Sequence, residues 1–168
     1  VHQSILIMNQ SGTFLTSRTA EEVFDLLADP QRFAALLPDF ESLSIQDASH
    51  FTLRIKIVIG QISGHANLDM ELCAAEGPSR VEYRGQGIVA GSQLVFAMRF
   101  QLGSVGSGTH VSWQGEVSVD GMLAMMAGGV IDSMGRRNFE ATVERLQDEL
   151  LANRATVQDL PPASGPSS

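Results

Sequence analysis

HVSWQGEVSVDGMLAMMAGGVIDSMGRRNFEATVERLQDEL, residues 110–150, contains the change of rhythm that decides the fold. In its first ten residues Val111, Trp113, Gly115, Val117 and Val119 share one phase, opposite His110, Ser112, Gln114, Glu116 and Ser118. Period two with one wet face is the mark of an antiparallel strand. From Met122 the apolar residues take helical spacing instead, and the pattern predicts one long helix over residues 122–153. Working backward from this junction, residues 51–59, 65–72, 80–89 and 93–102 alternate in the same way and read as four more strands. Gly60, Gly77-Pro78, Ala90-Gly91 and the glycines between 103 and 108 supply the turns. Gly85, Gly87 and Gly115 fall inside strands, where glycine marks a bend or a close approach.

The start of the chain adds a strand over residues 12–17 and two short helices. Thr19 and Glu22 have capping-box spacing, with Val23, Leu26 and Leu27 as the buried stripe. Asp29 and Pro30 fit the N-cap and N1 of the second helix, which Pro38 ends. The class is α+β: a curved antiparallel sheet of 6–7 strands wrapped on a long C-terminal helix. Residues 1–10 are expected to be an N-terminal extension, with Met8 a candidate start. Residues 11–152 form the domain, and residues 153–168 read as a disordered Pro/Ser-rich tail.

The final helix carries two apolar stripes. Phe139, Val143, Leu146 and Leu150 share a face that, projected backward, meets Gly135, Asp132 and Gly128. Leu123, Met126, Val130 and Met134 form a second stripe nearly opposite. Either a kink at the glycines turns that stripe inward, or it faces outward as a homodimer, partner or membrane contact. In both cases the small residues leave room between helix and sheet, which is the sequence's hint of a cavity.

Composition narrows function by exclusion. A formal charge of −8, with no basic stretch, disfavours nucleic acid and anionic lipid headgroups. The single cysteine, Cys73, suits a reducing compartment, and no signal peptide or membrane-spanning run is visible. A cytoplasmic protein is expected. The four histidines lack metal-ligand spacing, and no nucleophile motif or phosphate-cradling loop occurs. No metal and no bound cofactor is expected. Asp132 is the one carboxylate on the grip side of the helix, facing solvent, a backbone donor or a ligand.

Several segments in order resemble a known family. Ser11-Gly12-Thr13-Phe14 and Glu22-Val23-Phe24-Asp25-Leu26-Leu27-Ala28-Asp29-Pro30 are similar to the start of START-like (SRPBCC, helix-grip) domains. Leu37-Pro38-Asp39-Phe40-Glu41-Ser42-Leu43, Val58-Ile59-Gly60, Gly85-Gln86-Gly87, Ala90-Gly91 and the Gly/Met-rich start of the last helix narrow the resemblance. It is to the CoxG family of carbon monoxide dehydrogenase proteins, over residues 11–151. The family's usual Pro-Gly-Cys is Pro38-Asp39-Phe40 here, and the tail lacks the hydrophobic anchor of some relatives.

That resemblance implies an apolar cavity between sheet and helix. Its sheet walls would be Ile57, Ile59, Leu68, Met70, Tyr83, Leu94, Phe96, Met98 and Trp113, with Ile131, Gly135 and Phe139 on the helix side. It also implies a non-enzymatic partner of a molybdenum hydroxylase that binds an isoprenoid quinone and assists membrane recruitment or electron hand-off. Peripheral contact with the inner face of the membrane is part of that expectation. Two alternatives stand beside it. One is a START-like enzyme of cyclase or isomerase type, for which Asp132 and Tyr83 are the candidate pair. The other is an assembly factor without a ligand.

Overall fold

The computed structural model describes residues 5–59 and 61–159, with side chains there except at 59, 62, 127 and 153–159. Strand β1 (Ile5–Thr16) leads to helices α1 (Ala20–Leu27) and α2 (Pro30–Ala34). Six strands follow: β2 (Phe40–Ile45), β3 (His50–Ile59), β4 (Ile62–Glu76), β5 (Arg80–Val89), β6 (Ser92–Val105) and β7 (Gly108–Asp120). Helix α3 (Gly121–Asp159) closes the chain. The strands form one seven-stranded antiparallel sheet in the order β1-β7-β6-β5-β4-β3-β2. The sheet is thus a meander from β2 to β7, completed by β1. Bulges at Phe40/Ser42 and Leu72/Ala74 interrupt its ladders, and such bulges bend a sheet. Helix α3 leans mainly on β1, β7 and β6 and touches β3 lightly.

The local signals at the first turn act as expected. The Thr19 hydroxyl accepts from the Glu22 amide at 3.2 Å, and the Glu22 carboxylate accepts from the Thr19 amide at 3.0 Å. Asp29 accepts from the Gln31 amide at 3.0 Å, ahead of Pro30. These caps fix where α1 and α2 begin, so Leu26, Leu27 and Phe33 fall fully inside the core.

Three boundaries differ from the sequence reading. Residues 5–10 are not an extension: they pair with β7 from Ile5↔Asp120 to Gln10↔Gly115. The apolar run Ile5-Leu6-Ile7-Met8 conceals an alternation in which Met8 is buried while Ile5 and Ile7 face solvent. Strand β2 was not foreseen, because Glu41, Ser42 and Ser44 give this edge strand little apolar phase. Helix α3 runs on to Asp159, past the expected end at 153; the rest of the predicted tail, residues 160–168, lies outside the described residues.

Tyr83 occupies the centre of the core under the two short helices. Its ring stacks on Phe33, with centroids 3.9 Å apart, and meets Phe51 edge-on. Its hydroxyl donates to the Leu27 carbonyl at 2.6 Å. Burial pushes its phenol well above the ordinary tyrosine range, with the Asp29 carboxylate adding to the shift. A neutral group whose pKa rises on folding contributes stability below its unfolded pKa, and that stability is lost as pH climbs beyond it. Folding stability should therefore fall as pH rises above about 10. Tyr83 is the only tyrosine, so ultraviolet absorbance of tyrosinate reports this group alone. Its titration should coincide with alkaline unfolding. An ionisation near pH 10 in still-folded protein would show that the phenol is accessible.

Candidate functional site

Between the sheet and α3 lies a cavity of about 120 Å³. Strands β3 and β4 supply Leu53, Ile55, Ile57, Leu68 and Met70; β6 and β7 supply Leu94, Phe96, Val117 and Val119. Leu37 and Pro38, just beyond α2, also line it. Helix α3 contributes Leu123, Ile131, Met134, Gly135, Asn138, Phe139 and Thr142. The cavity exists because the buried residues fall into two clusters. The larger centres on Phe33, Tyr83 and Phe139; the smaller gathers Ile57, Ala66, Val89, Val119, Leu123 and Ile131. The void lies where they meet.

The same division settles the two-stripe question. At 100° per residue Leu123 and Phe139 point to nearly opposite sides of a helix, yet both are buried, each against its own cluster. The second stripe splits. Leu123 and Met134 turn toward the cavity, whereas Met126 and Val130 are 75% and 47% exposed. Met122 and Met125 join them in the exposed patch.

Of the residues expected to line the cavity, Ile57, Leu68, Met70, Leu94, Phe96, Ile131, Gly135 and Phe139 do so. The side chain of Ile59 lies outside the described residues. Four others belong elsewhere. Tyr83 and Met98 are in phase with the wall but are completely covered, Tyr83 by Phe33 and Phe51. Trp113 is buried between the Gly12 backbone and the Phe139 ring. Asp132 turns to the flank of α3, where its carboxylate accepts from Arg136 at 3.1 Å. The Asp132–Tyr83 pair of the enzyme alternative is therefore not assembled in the cavity.

The wall residues that were missed divide by cause. Leu53, Ile55, Val117 and Val119 carry the inward phase of strands already recognised, so the signal was available. Leu37 and Pro38 read as a helix ending, and nothing local shows what they abut. Asn138 and Thr142 flank Phe139 on α3, where polarity hid them.

No charged side chain lines the cavity among the described residues, and Asn138 and Thr142 are its polar ones. The Thr142 hydroxyl is already committed, donating to the Asn138 carbonyl at 2.8 Å. The Asn138 amide has no partner among the described residues and remains free to read a ligand. Gly115 lets the Phe139 ring lie close against β7, because a Cβ there would run into that ring. Among the described residues, no three His, Cys, Asp or Glu gather to hold a metal, and no helix is long and apolar enough to cross a membrane.

A curved antiparallel sheet gripping a C-terminal helix around an apolar cavity defines a START-like, helix-grip protein. Solved structures with this architecture include a conserved protein from Geobacillus kaustophilus, with TM-score 0.74, 16% identity and coverage of 86% of this chain and 96% of that one. A START superfamily protein from Mycobacterium smegmatis matches with TM-score 0.61 at 13% identity, covering 86% and 97%. The ZhuI aromatase/cyclase from Streptomyces sp. R1128 gives TM-score 0.62 at 15% identity, covering 86% and 93%. At such identities the likeness establishes the fold alone. No curated protein matches the chain in sequence. Within the class, the chain belongs to the carbon monoxide dehydrogenase CoxG family, whose sequence model matches residues 12–151.

Proposed function

We propose that the protein is a non-enzymatic carrier that holds a neutral, elongated apolar ligand, an isoprenoid quinone, between sheet and helix. In this reading it serves a molybdenum hydroxylase of the carbon monoxide dehydrogenase type, in membrane recruitment or electron hand-off. The observation that carries it is the cavity wall: continuous aliphatic and aromatic side chains, no charge, and the one free amide of Asn138. Such walls suit a ligand held by buried area, at about 25 cal/mol per Å². The absence of a lining cation among the described residues disfavours a fatty-acid carboxylate, and a single amide suits one carbonyl oxygen. Family membership supports the accessory role and points to the partner. The exposed Met122, Met125, Met126 and Val130 supply an apolar patch fit for peripheral contact with a membrane.

The test is mass spectrometry of an organic extract from the full chain purified out of a quinone-rich host. A stoichiometric isoprenoid quinone, absent from a control protein, is the expected result. A stoichiometric lipid of another kind would keep the carrier and remove the respiratory role. An empty, folded protein would overturn the reading in favour of an assembly factor.

A further inference from the structure

Building on the carrier reading, the difficulty to resolve is size. Ligand pockets ordinarily enclose about 300–1,000 Å³, and an apolar void of about 150 Å³ takes guests of about the size of benzene. At about 120 Å³ the cavity encloses only part of an elongated molecule as it stands. To enclose the rest, part of the wall has to move.

Most of the wall is firmly held. The strands are laddered to their neighbours, Leu27 and Phe33 anchor α1 and α2, and Phe139, Val143, Leu146 and Leu150 bury the second half of α3. The first turns of α3 differ. Among the described side chains of residues 122–130 only Leu123 is buried, and it lines the cavity.

Glycines bracket this segment. Gly121 has φ +63°, a conformation that other residues adopt with strain. At the far end, a Cβ on Gly128 or Gly129 would meet nothing within 4 Å. Packing therefore does not demand glycine at either position, although glycine is a poor helix former and glycine pairs are where helices bend. One hydrogen bond latches the segment, from the Leu123 amide to the buried Ser92 hydroxyl at 3.2 Å. Just before it, the Asp120 carboxylate accepts from the Gln93 amide at 2.7 Å and fixes the base of the hinge to β6.

We propose that residues 122–127 are a lid, hinged at Gly121 and at Gly128-Gly129, with Leu123 as its plug. Lifting the lid withdraws Leu123 and extends the cavity between Val119 and Ile57 toward the end of the sheet. A ligand tail then occupies the passage that Leu123 fills in the closed form. The exposed Met122, Met125 and Met126 ride on the lid and give an arriving ligand an apolar surface to cross.

The experiment is stopped-flow binding of N-phenyl-1-naphthylamine, a neutral probe of two aromatic units, larger than the cavity encloses with the lid down. Binding draws on the open population alone, so apparent affinity scales with the open fraction. A Gly128→Ala/Gly129→Ala variant should bind about tenfold more weakly, through slower association, while melting at a higher temperature than the wild type. Its higher melting temperature excludes misfolding as the cause. Ser92→Ala should speed association several-fold. In amide exchange of the wild type, residues 122–127 should open well before residues 139–150. Unchanged association in the double-alanine variant, or equal protection of the two segments, would overturn the lid and leave the carrier reading intact. A wild type that neither binds the probe nor carries lipid would overturn the carrier reading, and the lid with it.

Discussion

A Phe33→Ala variant should lose about 3–5 kcal/mol of folding stability, a large share of the roughly 5–15 kcal/mol that holds a domain folded. Phe33 is fully buried on a helix of five residues, too short to persist without its tertiary contacts. Its ring stacks on Tyr83 and meets Phe100 edge-on, with centroids 6.4 Å apart in the second pair. Truncation removes the ring from both neighbours at once, and the surrounding ladders restrict how far the site can collapse. The damage should also reach the cavity, because α2 leads directly into Leu37 and Pro38 in its wall. Chemical denaturation measures the loss. A cost below about 1 kcal/mol would show that the aromatic stack is not what holds α2 in place.

The second large effect is expected on binding rather than on folding. Leu68→Trp places an indole in the cavity from the middle of β4, where Leu68 is buried in its wall. The substitution adds roughly one aromatic ring, which is about what a void of this size accepts. Overpacking should cost about 1–3 kcal/mol, so the protein stays folded while ligand capacity falls at least tenfold. Leu68→Ala makes the opposite change and should keep binding at some cost in stability. Retained affinity for N-phenyl-1-naphthylamine in a folded Leu68→Trp protein would place the binding site elsewhere.

The two variants probe different halves of the molecule, and the sequence foretold the halves unequally. Capping residues and period-two runs placed α1, α2 and most strands, because each such signal acts within a few residues. Residues 5–10 escaped because a continuous apolar run hides an alternation that appears only beside β7. Strand β2 escaped because an edge strand with little burial needs little apolar phase. On α3, the face of Phe139 projected onto Asp132 and Gly128, whereas the helix crosses from one cluster to the other and presents Leu123 and Ile131 instead.

By itself, the sequence determined the order of the elements other than β2, the class of the fold, the uncharged character of the inward phase and the resemblance to the CoxG family. Only the tertiary structure decided which inward residues border open space. Met70 and Tyr83 share the inner face of adjacent strands, yet Met70 meets the cavity and Tyr83 meets Phe33 and Phe51. The physical reason is that strand pleating directs a side chain to one face whatever lies beyond it. What lies beyond is supplied by α2 and α3 from distant parts of the chain, and no local pattern encodes their approach.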